Sequence, residues 1–106
     1  MNEKVKDILA QLRRELLSLY GQRMNRILLF GSQARGDAEP ESDIDVLVVL
    51  DGPVQPGAEI DRTSNLVAEL SLANNVVVSC VFISSERYAA ERSPLLMNVR
   101  REGVAI

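Results

Sequence analysis

The 106-residue sequence contains no histidine and no tryptophan, and it has a single cysteine. Without histidine there is no Ser-His or Cys-His nucleophile pair, and no imidazole to ligate a metal. A metal bound by this chain would be held through oxygen, which favours Mg²⁺, Mn²⁺ or Ca²⁺ over zinc. The lone Cys80 excludes an internal disulfide and a multi-cysteine zinc site. Aromatic residues make up only 4% of the chain, so the core has to be built from Leu, Val, Ile and Ala. No apolar run approaches the roughly 18–20 residues that span a bilayer, and the charged N-terminus lacks the apolar stretch of a signal peptide. No membrane association is expected, and the expected location is the cytoplasm. The net charge of −3 argues against direct nucleic-acid binding.

What remains has the balance of an ordinary globular protein, with 46% hydrophobic and 25% charged residues. The length suits a single domain over residues 1–106. Val5, Ile8, Leu9, Leu12, Leu16, Leu19 and Tyr20 recur at three- and four-residue steps, which predicts a helix over 2–20 stopped by Gly21. Residues 26–30 and 44–50 read as strands, the second with Val46, Val48 and Leu50 on one face and Asp45, Leu47 and Val49 on the other. Residues 58–74 follow as a helix with Ile60, Val67, Leu70 and Ala73 on its apolar side, ended by Asn74-Asn75. The β-branched run 76–83 is the third strand. Short helices open at Ser84-Ser85-Glu86 and at Ser93-Pro94. The order predicts an α/β (α+β) domain in which helices flank a small mixed sheet.

The chemistry concentrates in LLFGSQARGDAEPESDIDVLVVL, residues 28–50. Six acids and no basic residue fall between Asp37 and Asp51, so the rest of the chain is net positive. Gly31 follows a buried strand, where a missing Cβ permits a sharp turn and close approach of a ligand. Ser32 would cap the turn that follows, leaving backbone N–H groups to meet phosphate oxygens. Arg35 would add a charge-assisted contact. By itself this pair reads more readily as a capped turn without a ligand. Gly31 and Gly36 have the glycine spacing of a P-loop, but Asp37 stands where its lysine belongs, and no G-x-G-x-x-G occurs. Asp43 and Asp45 are spaced to share one face of a strand, where their mutual repulsion is relieved by a divalent cation. A carboxylate pair of this kind binds Mg²⁺ when substrate phosphates complete the shell.

Gly31-Ser32, ten intervening residues, then Asp43-x-Asp45 resembles the signature of the minimal nucleotidyltransferases, within the DNA polymerase β-like nucleotidyltransferase superfamily. The string FGSQARGDAEPESDIDVLVVL is similar to that family throughout, and the resemblance runs from the first helix through the third strand. It implies that Gly31 and Ser32 hold a nucleoside triphosphate, and that Asp43 and Asp45 bind Mg²⁺ (or Mn²⁺) to align an attacking hydroxyl with the α-phosphate. It further implies transfer of a nucleotide, with AMP from ATP favoured, to a hydroxyl of a protein partner. Stand-alone relatives of this size are often antitoxins of HEPN-domain toxins. The family usually brings a third carboxylate from the neighbouring strand, whereas residues 76–83 offer only Ser79 as a polar interruption. The competing reading is a nucleotide-binding module that neutralises its partner by binding alone.

Three further features carry expectations. Leu95, Leu96 and Val99 on the final helix would present an apolar surface to a partner or to a homo-oligomer. Arg100-Arg101 suits the C-terminal end of a helix dipole, and Arg13-Arg14 suits a solvated helix face.

Overall fold

The structure, a computed structural model, describes residues 2–36, 39 and 42–106. Helix α1 (Glu3–Tyr20) opens the chain, with Asn2 as N-cap accepting a 2.8 Å hydrogen bond from the Val5 N–H. Gly21 ends it at φ +55, where a glycine is favoured, and a single 3₁₀ turn leads into strand β1 (Met24–Phe30). A one-turn helix α2 (Ser32–Arg35) precedes β2 (Ile44–Leu50). Then follow α3 (Pro56–Asn74), β3 (Val78–Ser84), α4 (Ser85–Ala90), α5 (Pro94–Glu102) and a two-residue strand β4 (Val104–Ala105). The loop expected over 37–42 lies largely outside the described residues. As expected, Ser84 and Ser93 cap the two short helices, accepting from the Arg87 and Leu96 N–H groups.

The sheet is mixed and ordered β3-β2-β1-β4. β1 and β2 are antiparallel, whereas β2 and β3 are parallel and joined through α3. The pleat sorts the strands as the sequence pattern anticipates. Val46, Val48 and Leu50 face α1 and α3, packing against Ile8, Leu12, Leu16 and Leu70. Leu47 and Val49 face the other way, against Leu96 and Val99 of α5. β2 is buried on both faces, as a central strand with helices on either side must be.

Several expectations need correction. The sheet has a fourth strand: β4 pairs antiparallel with β1, and the Ile106 N–H donates to the Ile27 carbonyl at 3.0 Å. Two residues are too few to show a periodicity. β3 starts at Val78 rather than 76, because Asn75 at φ +53 and the Val76 N–H bond to Ser71 O still belong to the end of α3. Leu96 and Val99 are buried beneath their own sheet and are not free for a partner, which leaves Leu95 and Met97 exposed on α5. Leu19 is also exposed.

On α3 Leu70 is buried and Val67 packs against the core as expected, but Ile60 and Ala73 are exposed, while Glu59 and Thr63 are buried. The cause is a polar contact that apolar periodicity cannot register. Tyr20 at the end of α1 donates its hydroxyl to Glu59 Oε1 at 2.8 Å, and Arg62 pairs with the same oxygen at 3.0 Å. A buried carboxylate is tolerated when donors surround it, and here they tie α1 to α3. Burial and the Glu59 hydrogen bond push the Tyr20 hydroxyl up to about 12. Because the folded value lies above the ordinary one, this contribution to stability is complete below about pH 10 and is lost as pH rises through 12. Tyr20→Phe should cost about 1–3 kcal/mol by leaving Glu59 short of a donor. Urea unfolding at neutral pH checks this, and the gap between parent and variant should narrow in alkaline buffer.

Candidate active site

β1 and β2 bring the glycine turn and the acids together by register. Phe30, the last residue of β1, is the Cα partner of Asp45. The next residue, Gly31, therefore passes directly over the Asp45 side chain. A Cβ on Gly31 would lie 2.6 Å from Asp45 Oδ2, and Gly31 also has φ +78. The backbone conformation favours glycine, and any Cβ here would also displace the Asp45 carboxylate.

Gly31 is itself the cap of α2, and its carbonyl accepts from the Ala34 and Arg35 N–H groups at 3.1 Å. The expectation that Ser32 caps the turn is corrected, since Ser32 is the first helical residue. The N–H groups of Ser32 and Gln33 precede the first intrahelical bond and so are left over for another acceptor. With only four residues in α2, these directed donors matter more than a helix dipole. Arg35 lies at the end of α2 with its Nη1 3.2 Å from Glu102 Oε1. The last turn of α5 thus reaches the glycine turn.

Asp45 lies within β2, and Asp43 lies just before it, exposed. Burial raises the Asp45 pKa above the ordinary carboxylate value, and the charge of Asp43 raises it further. Neither acid has an ion-pair partner among the described residues. Two mutually repelling carboxylates without a neutralising side chain are the donor set a hard divalent cation fits. No cluster of three or more potential metal-ligating side chains is found among the described residues. Asp43 and Asp45 could offer two carboxylate ligands, and phosphate and water oxygens would have to supply the others.

Ser79 is the Cα partner of Asp45 on β3, exposed and on the same side of the sheet. It is the polar residue that β3 sets beside Asp45 in register. Sequence reasoning missed Gln33, which is buried and donates from Nε2 to the Ser42 carbonyl at 3.2 Å. That bond ties α2 to the residue before Asp43. A glutamine inside a turn gives no sequence signal of such a contact.

The glycine turn thus lies directly against the carboxylate pair. Residues 9–105 match the family model described as nucleotidyltransferase domain. The chain belongs to this nucleotidyltransferase family. A protein of Methanocaldococcus jannaschii that carries the provisional name protein adenylyltransferase is 40% identical over 73 residues, spanning 69% of this chain and 67% of that protein. A crystal structure of a toxin–antitoxin with AMP-PNP superposes with a TM-score of 0.62 at 23% identity, covering 98% of this chain and 72% of the other. The MNT antitoxin complex with tri-AMPylated HEPN toxin from Shewanella oneidensis gives a TM-score of 0.58 at 20% identity, covering 96% and 70%. These likenesses bear out the nucleotidyltransferase fold read from the sequence.

The raised pKa of Asp45 sets a testable sign. A carboxyl whose folded pKa lies above its unfolded value stabilises the fold below the unfolded value, and that contribution is lost as pH rises through the folded one. At neutral pH the ionised Asp45 is therefore a burden on the metal-free protein. Asp45→Asn should raise the melting temperature of the metal-free protein at neutral pH, with the difference shrinking in acid. Differential scanning calorimetry across pH checks it; an unchanged or lower melting temperature at neutral pH contradicts it.

Proposed function

We propose that the chain transfers AMP from ATP, with Mg²⁺ or Mn²⁺, to a hydroxyl of a protein partner. The observation that carries this reading is the contact between Gly31 and the Asp45 carboxylate. It sets phosphate-binding donors and metal-binding oxygens against each other without an intervening side chain. Ser32 and Gln33 N–H groups hold triphosphate oxygens, and Arg35 adds positive charge beside them. Asp43 and Asp45 hold the divalent cation, which when bound neutralises phosphate charge and lowers the pKa of the attacking hydroxyl. The acceptor oxygen forms a bond to the α-phosphorus as the bond to the bridging oxygen of pyrophosphate breaks, and the hydroxyl proton passes to solvent.

The partner in this reading is a HEPN-type toxin, with the chain as its antitoxin. The M. jannaschii relative's name and the AMPylated HEPN toxin held by the S. oneidensis antitoxin support it. Residues 1–106 act as one cytoplasmic nucleotidyltransferase domain. No helix among the described residues is long and apolar enough to cross a membrane.

One observation favours a second reading, a module that binds nucleotide and neutralises its partner without turnover. Ser79, a neutral residue, stands beside Asp45 where a third carboxylate would assist the hydroxyl. General-base assistance is worth about 10²–10⁴ in rate. Transfer should accordingly be slow in the isolated chain. Ser79→Asp should raise it by about tenfold or more while leaving ATP affinity little changed. Labelled-ATP turnover onto a co-purified partner, followed by mass spectrometry for the adduct, measures both. A partner free of adduct in the presence of parent and Ser79→Asp alike would favour the binding module.

A further inference from the structure

β3 is an edge strand, with β2 as its only strand neighbour among the described residues. Its seven residues, VSCVFIS, contain no charge and no proline. Exposed edges are usually blunted by lysine, proline, brevity or a covering element, because unpaired backbone groups template pairing with another chain. The opposite edge is protected in that way, since β4 has only two residues. β3 has no lysine, no proline and no such brevity.

The surface beside β3 matches it. A groove of about 330 Å³ separates β3 from α3, bordered by Ile60, Ser64, Val67 and Ala68 of the helix. A second, of about 350 Å³, lies at the end of α3 and is bordered by Leu72 and Val77. Every residue lining the two grooves is uncharged. Exposed apolar side chains gather along this edge: Leu72 is 84% exposed, Val77 54%, Ile60 52% and Val81 38%. Apolar residues scattered singly need no explanation, but an apolar strip along an open strand marks an interaction surface.

We propose that the β3 edge and the adjoining side of α3 form a two-fold contact with a second copy of this chain, β3 pairing antiparallel with its mate. The argument for this occupant is closure. A foreign peptide added to β3 would leave a new open edge outside it. Antiparallel pairing of two β3 strands satisfies both edges together, giving an eight-stranded sheet that ends at each side in the short β4. An isologous contact also requires a self-complementary patch. An uncharged surface meets that condition and offers nothing to select a charged partner. Ser79 lies on this strand opposite Asp45, so the seam would run alongside both candidate sites. The inference does not rest on adenylyl transfer.

Sedimentation equilibrium of the full chain at micromolar concentration should give twice the chain mass. Val81→Lys sets two like charges near the two-fold axis and should weaken the dimer more than tenfold. Ser64→Arg, at an exposed helix position, should do the same and guards against a folding defect in the strand variant. Met97→Lys, exposed on α5, should leave the dimer intact. With Cys80→Ala as background, mild oxidation of Val81→Cys should yield a covalent dimer. A monomeric parent would overturn the proposal, as would a dimer indifferent to both Val81→Lys and Ser64→Arg. A monomer in which Val81→Lys abolishes binding of a different protein would overturn it too, by assigning the edge to that protein.

Discussion

The site depends on the Asp45 carboxylate filling the space that a Cβ on Gly31 would take. It follows from antiparallel register, since Phe30 pairs with Asp45 and the chain must turn over that side chain as it leaves β1. Any residue with a Cβ would collide with Oδ2 and would also be strained at this φ. The contact makes the backbone donors of the turn and the carboxylate oxygens neighbours. A bound triphosphate would touch both. The register is held in turn by β2, whose alternating residues are buried between the α1–α3 layer and α5.

The electrostatics point the same way. An isolated domain would gain by neutralising Asp45 or giving it a basic partner, yet the neighbouring charge is another acid, Asp43. A raised carboxylate pKa set by burial and a like charge marks a functional group more often than a structural one. Glu59 is the informative contrast: it is more deeply buried, but Tyr20 and Arg62 both donate to it. One acid is satisfied by the chain itself. The other has no ion-pair partner among the described residues.

The sequence carried much of this, unevenly. Helix α1, strands β1 and β2 and their alternating faces were legible because long periodic segments and a two-residue pleat leave strong patterns. The glycine turn and the aspartate pair were legible because their residue types are costly without a purpose. Ser79 was correctly singled out as the polar break in the third strand, but that it is Asp45's direct neighbour depends on β2–β3 register. β4, the buried Gln33 and the Tyr20–Glu59 bond were not legible. Each rests on a contact between residues distant in sequence, or on a segment too short for periodicity. The buried face of α3 was read only in part, at Val67 and Leu70, for the same reason: Glu59 and Thr63 point inward for hydrogen bonds that a hydrophobic pattern does not register.

The central claim is that turn and carboxylates form one composite site, filled by nucleotide and divalent cation together. Calorimetric titration of ATP into the protein with and without Mg²⁺ tests it most directly. Tight binding should require the cation, and Asp43→Asn should reduce the parent's affinity to its cation-free level. Equal ATP affinity with and without Mg²⁺, or undiminished cation-dependent binding in Asp43→Asn, would contradict the account.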